Sequence, residues 1–243
     1  MAVTQAQVAQ LYVALFNRAA EGEGLRNWIA DGANKTMAQV ADTMLQAPAV
    51  KTYFNGAIDN DRDFVEMIYK NILGKDYSQD PNGIDSWVLH LQLGHTRGET
   101  LVKLFEVAQS AIARAADPVA AKVFENKTEI SAYMAQKIAS IETDSNGNYD
   151  YAMFQEIIAT TTATNLAAQK AKIDEMANST THTATTSDET LTGNSGTDIF
   201  NATVSSFADR NTLNVNDKID GGAGQDMLNV TVNDSFTGFV DGY

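Results

Sequence analysis

The sequence predicts a mainly α protein: a helical repeat region followed by a small β-rich segment. Three observations predict it. Apolar residues recur at three- and four-residue spacing from Thr4 to about Asn178. The three prolines, Pro48, Pro81 and Pro118, each fall between one such run and the next, as helix punctuation should. From Ser179 the chain turns threonine-rich, and beyond it β-branched and aromatic residues alternate with Gly, Asn and Asp turns. The expected division is 1–178 for the helical region and 179–243 for the β-rich one.

Taken in order, Thr4 is placed to cap a helix carrying Val8, Leu11, Tyr12, Leu15 and Phe16. Val40, Met44 and Leu45 mark another helix, and Phe64, Met67, Ile68 and Ile72 a third. An internal repeat links these runs. Its first copy holds Leu11-Tyr12, then Asn17-Arg18, then Gly24 and Trp28. Its second holds Ile68-Tyr69, then Gly74-Lys75, then Gly83 and Trp87. Each copy reads as helix, basic residue, acidic loop, glycine, and a helix bearing Trp. The two tryptophans are expected to pack back on Tyr12 and Tyr69, since Trp dominates burial. The alternative is an aromatic platform for sugar rings.

Composition excludes several classes. The 243 residues include no cysteine, so neither disulfides nor thiol chemistry operate. The net charge is −14, and after Thr186 nine acidic residues face only Arg210 and Lys218. No basic stripe exists for nucleic acid, whereas cation binding is compatible. No run reaches the roughly 18 apolar residues of a membrane helix, so membrane insertion is not expected. The first sixteen residues lack a basic n-region and a clear cleavage site. His90, His95 and His182 form no zinc motif, and nothing matches a nucleophile elbow or phosphate loop. No enzyme is expected.

The stretch Gly221-Gly222-Ala223-Gly224-Gln225-Asp226-Met227-Leu228-Asn229 carries the sharpest chemistry. Glycines there allow a tight turn with positive φ, and Asp226 offers the hard carboxylate oxygen that Ca²⁺ prefers. A less complete copy, Gly193 to Asn201, lies upstream with Asp198 at the same place and Asn194 in place of the second glycine. The pattern resembles the nonapeptide of the secreted calcium-binding repeats called RTX repeats. The copies stand apart in sequence, so isolated Ca²⁺ sites are expected, at Asp198 and at Asp226 with Gly224. Asp217 and Asp220 are the closest spare carboxylates. A pair of Gly-Asp hairpin turns is the alternative. The segment 144–150 resembles the opening of an EF-hand loop, although Tyr149 stands where that loop needs glycine. A turn between two helices is favoured there.

The paired pattern, Leu11-Tyr12 with Gly24-Leu25 and Trp28, then Ile68-Tyr69 with Gly83-Ile84 and Trp87, resembles the DUF4214 helical module, over roughly 6–54 and 64–110. The first segment, through Ala20-Glu21-Gly22-Glu23-Gly24, Trp28, Met44-Leu45-Gln46-Ala47-Pro48 and Tyr53-Phe54, is similar to the N-terminus of the surface-array (S-layer) proteins of Campylobacter. That resemblance implies a structural protein of the bacterial cell surface, exported by type I secretion without an N-terminal signal peptide. It implies noncovalent attachment to the O-polysaccharide of lipopolysaccharide and self-association in a surface lattice. The chain is then expected to be part of a longer protein. Candidate glycan contacts are Asn17, Arg18, Arg26, Asn27 and Trp28 in the first copy, and Lys75, Asp80, Asn82, Asp85 and Trp87 in the second. Two other readings stand beside it: an accessory region of a type I-secreted RTX enzyme, and a calcium-dependent glycan-binding adhesin.

Overall fold

The structure is a computed structural model that describes residues 2–141, 149–194 and 196–233. Among the described residues the protein is mainly helical, with eleven α-helices and five short strands. It divides into two compact units, Met1–Lys170 and Ala171–Tyr243.

The first unit is built around α1 (Gln5–Phe16), in which every residue from Val8 to Phe16 is buried. A helix that is apolar nearly all round belongs in a core. Thr4 starts it with a capping box, its hydroxyl accepting from the Gln7 N–H while the Gln7 side chain returns to the Thr4 N–H. Around it pack α2 (Gly22–Asp31), α3 (Met37–Met44), α4 (Pro48–Phe54), α5 (Asp61–Leu73) and α9 (Pro118–Lys137). The core joins Leu11, Leu15, Met44, Phe64, Ile68, Ile72, Phe124 and Met134. Helices α6 (Pro81–Gln92), α7 (Arg97–Ala108), α8 (Ala111–Ala116) and α10 (Ala152–Ala159) complete the unit, and α11 (Leu166–Ala177) crosses its boundary. Pro48, Pro81 and Pro118 each occupy the first position of a helix, where the missing N–H costs nothing.

The repeat is real at the level of local geometry. Asn17 ends α1 in the left-handed region (φ 46°), and Gly74 ends α5 the same way (φ 69°). Asparagine is among the few residues besides glycine that tolerate this conformation. Elsewhere one glycine decides a helix contact. A Cβ on Gly98 would lie 2.1 Å from the Ala38 carbonyl oxygen and 2.8 Å from the Asp42 carboxylate. Gly98 thus lets the start of α7 abut α3. Gly98→Ala is expected to destabilise the helical unit by about 1–3 kcal/mol, because a backbone carbonyl must move. A urea titration that superimposes on wild type would refute it.

The second unit is a stack of short parallel strands: β1 (Thr181–Thr183), β2 (Thr190–Thr192), β3 (Ile199–Val204), β4 (Lys218–Asp220) and β5 (Met227–Val232). One sheet has the order β1-β3-β5 and the other β2-β4, all parallel. Consecutive strands therefore alternate between sheets, as in a roll. The residue just before each strand is Thr180, Glu189, Asp198, Asp217 or Asp226, a nine-residue rhythm broken by ten extra residues between Asp198 and Asp217. The extra residues form a loop closed at its base, where the Thr203 N–H donates to the Thr212 hydroxyl and the Thr212 N–H to the Thr203 carbonyl. Phe200 and Ala202 are buried inside, and the His182 ring stacks on Phe200 with 4.8 Å between centroids. The two Gly-Asp copies, expected to be isolated, are neighbouring rungs: Ile199 registers with Met227, and the Asp198 N–H donates to Asp226 Oδ1 at 3.1 Å.

Candidate functional site

In the helical unit, both repeat copies use one local device. Glu21 stands at the N-cap of α2 and accepts from the Tyr12 hydroxyl; Asp80 caps α6 and accepts from the Tyr69 hydroxyl. The glycine three residues on makes room for this pair. A Cβ on Gly24 would lie 2.1 Å from Glu21 Oε1 and 2.3 Å from the Tyr12 hydroxyl oxygen, and one on Gly83 would lie 2.5 Å from that of Tyr69. Burial first, then the Glu21 charge, pushes the Tyr12 hydroxyl up, so it stays a neutral donor. The hydrogen bond from the Tyr69 hydroxyl, more than any other influence, holds the Asp80 carboxyl below its ordinary range.

The predicted glycan contacts separate on this frame. Arg18 is 6% exposed and fully engaged. Its Nη1 donates to Glu21 Oε2 at 2.6 Å and to the Ala19 carbonyl, and its guanidinium lies over the Tyr12, Phe16 and Tyr151 rings. Arg18 is therefore a buried anchor, held by protein partners rather than free at the surface. Asn17 is half-buried near the Tyr53 hydroxyl, which donates to Asn71. Arg26 and Asn27 are exposed on α2, and Asn27 borders a recess of about 280 Å³ that also touches Arg18, Tyr149 and Tyr151. Trp28 is half-buried beside the Tyr12 hydroxyl.

In the second copy, Trp87 is half-buried and lines an apolar recess of about 210 Å³ with Leu73, Leu104 and Val107. Lys75 borders it and pairs with Asp117 at 2.7 Å. Asn82 is exposed, and Asp85 is engaged by Arg62 at 2.7 Å and by the Tyr77 hydroxyl at 3.2 Å. Neither tryptophan is a fully buried core residue.

Sequence reasoning missed a larger recess of about 570 Å³. Five elements frame it: α3 gives Asp42, α4 gives Lys51, the start of α5 gives Asp61, α6 gives Leu91, and the start of α7 gives Arg97. Its wall is tied together. Asp42 accepts from the Gly98 N–H at 2.7 Å and from the Thr96 hydroxyl at 2.9 Å. Arg97 Nη2 donates to Asp61 at 2.9 Å, while its Nε is buried without a partner. By contrast, the exposed side chains of Gln46, Lys51 and Asp59 bond to no described residue. No motif announces this site, because its residues are scattered in sequence and meet only in the fold.

In the roll, Gly193 and Asn194 stack on the turn 221–226. The Gly193 N–H donates to the Asp220 carbonyl and the Ala223 N–H to the Asn194 carbonyl. Asp198 is wholly buried, with Oδ1 accepting from the Thr180 N–H and hydroxyl and Oδ2 from the Asn194 N–H at 2.6 Å. These bonds, the Thr180 hydroxyl first, hold its carboxyl below the usual range. A Cβ on Gly193 would lie 2.3 Å from both Asp198 Oδ2 and the Gly221 carbonyl oxygen, and one on Gly221 would lie 2.1 Å from Asp226 Oδ2. Gly224 has φ 122°, a conformation that glycine alone adopts readily. Asp220 sits at this same edge, accepting from the Gly222 N–H.

Asp217 does not join them, contrary to expectation. It precedes β4 in the other sheet, so it lies on the opposite line of turns. Its oxygens accept from the Glu189 and Asn214 N–H groups at 2.9 and 2.6 Å. That line has no glycine; the Asn214 amide reaches the Thr185 and Ser187 carbonyls instead. Among the described residues no three His, Cys, Asp or Glu side chains group as a metal cage. The glycine-rich edge instead stacks two carboxylates, Asp198 and Asp226, of which Asp198 is engaged by Thr180 and Asn194 and Asp226 accepts from the Asp198 N–H. The EF-hand-like segment 144–150 lies outside the described residues except for Tyr149 and Asp150. Asp150 accepts from the Ala152 N–H at the start of α10.

No helix among the described residues is long and apolar enough to cross a membrane. No curated protein matches the chain, and no solved structure does. Residues 41–111 match the DUF4214 family, a domain of unknown function, and every residue lining the large recess lies within them.

Proposed function

We infer that this chain is the N-terminal part of a bacterial surface-layer protein. Its helical unit attaches noncovalently to the O-polysaccharide of lipopolysaccharide, and its roll takes up Ca²⁺ and leads into the surface lattice. The observation that supports this reading best is the stacking of two Gly-Asp turns in register, with Asp198 above Asp226. Stacked turns let one ion bridge two rungs. In that role Asp198 and Asp226 supply the carboxylates, the glycines let carbonyl oxygens approach, and the ion neutralises the two acids and staples a unit without disulfides. The DUF4214 match of residues 41–111 supports the helical-module resemblance alone, since that domain is of unknown function.

Two measurements test it. The full chain is expected to sediment with smooth lipopolysaccharide and to stay in solution with rough lipopolysaccharide; equal binding to both would end the O-polysaccharide claim. Calcium should slow tryptic cleavage at Lys218, in β4, more than cleavage in the helical unit. Binding to the folded state alone adds about 2.7 kcal/mol at a hundredfold excess over the dissociation constant. Asp226→Ala should remove that protection. Identical digestion with calcium and with chelator would rule out a structural ion here.

A further inference from the structure

We propose that the large recess of the helical unit is the subsite that takes a neutral sugar ring. This assignment rests on the glycan-attachment reading above and places it away from the tryptophan loops. The recess, at about 570 Å³, falls within the roughly 300–1,000 Å³ of small-molecule sites. Its lining joins two kinds of group. Asp42, Thr96, Asp61 and Arg97 are bonded to one another or to backbone, so they form a preorganised wall. Gln46, Lys51 and Asp59 have no partner among the described residues, so a ligand would displace only water from them there.

The free set defines the chemistry. A carboxylate only accepts, an ammonium only donates and an amide does both. A hydroxyl does both as well, so vicinal hydroxyls satisfy all three. Leu45, Ile58 and Leu91 add apolar surface suited to the C–H face of a pyranose. An anion would meet three aspartates, Asp42, Asp59 and Asp61, against Lys51 and Arg97. A free cation would find Asp42 and Asp61 already engaged. A neutral, polyhydroxylated ligand meets neither obstacle.

The test is a binding titration of the full chain with O-polysaccharide freed of lipid A. Gln46→Ala and Asp59→Asn are expected to weaken binding by roughly five- to tenfold each, the scale of one lost hydrogen bond to an amide or charged group. Both positions are exposed, so the thermal melt should not move, and Arg26→Ala on the first-copy helix should bind as wild type. Wild-type affinity in both recess variants, with binding intact, overturns the recess while leaving attachment to another face. Loss of affinity in Arg26→Ala alone overturns it likewise. Competition by inorganic phosphate as effective as that by free O-polysaccharide overturns the neutral-sugar assignment. No binding by wild type removes the attachment reading and the recess with it.

Discussion

Arg18→Ala is expected to destabilise the helical unit by about 3–5 kcal/mol, the usual result of removing one partner of a buried ion pair. The Arg18 and Glu21 side chains are only 7% and 14% exposed and meet at 2.6 Å. Without the guanidinium, Glu21 keeps its charge in a half-dry setting with the Tyr12 hydroxyl as its remaining side-chain partner. Three aromatic rings, Tyr12, Phe16 and Tyr151, also lose the flat cation that fills the space between them. Arg18→Lys should recover part of the loss, because it keeps the charge but not the planar fork. Urea unfolding followed by tryptophan fluorescence reads the effect, since both tryptophans lie in the helical unit. A midpoint equal to that of wild type would return Arg18 to the surface-ligand role that its sequence context suggested.

That reversal shows where sequence reading works and where it stops. Helix starts were legible because their signals are local: Thr4 with Gln7, or proline at the first position of α4, α6 and α9. The repeat was legible because its Tyr, Gly and Trp recur at matched offsets. Burial of Arg18 was not, since it depends on Phe16, Glu21 and Tyr151 converging from separate segments. The roll was half legible. Gly221 to Asp226 stood out, but Thr180, Glu189 and Asp217 hold the equivalent place in turns that have few glycines or none. Ten inserted residues then shift the nine-residue period and hide it. The large recess was invisible, because Asp42, Asp61 and Arg97 become neighbours only after α3, α5 and α7 pack.

Phe200→Ala is expected to unfold the roll while leaving the helical unit standing. Phe200 is 2% exposed, and it is the largest fully buried side chain between the two small sheets. Truncating such a ring costs about 3–5 kcal/mol, and here it also strips the stacking partner from His182. The unit Ala171–Tyr243 is small, and at about 0.05–0.15 kcal/mol per residue it has roughly 4–11 kcal/mol to lose. The helical unit has its own core in α1, α5 and α9. Two probes separate the outcomes. Both tryptophans lie in the helical unit, so the fluorescence-detected transition should be unchanged. Lys218 lies in β4, in register with Thr190, so tryptic cleavage there should accelerate sharply. If the fluorescence transition falls together with the protection of Lys218, the two units unfold as one cooperative block. If neither changes, the interior of the roll is not organised around Phe200.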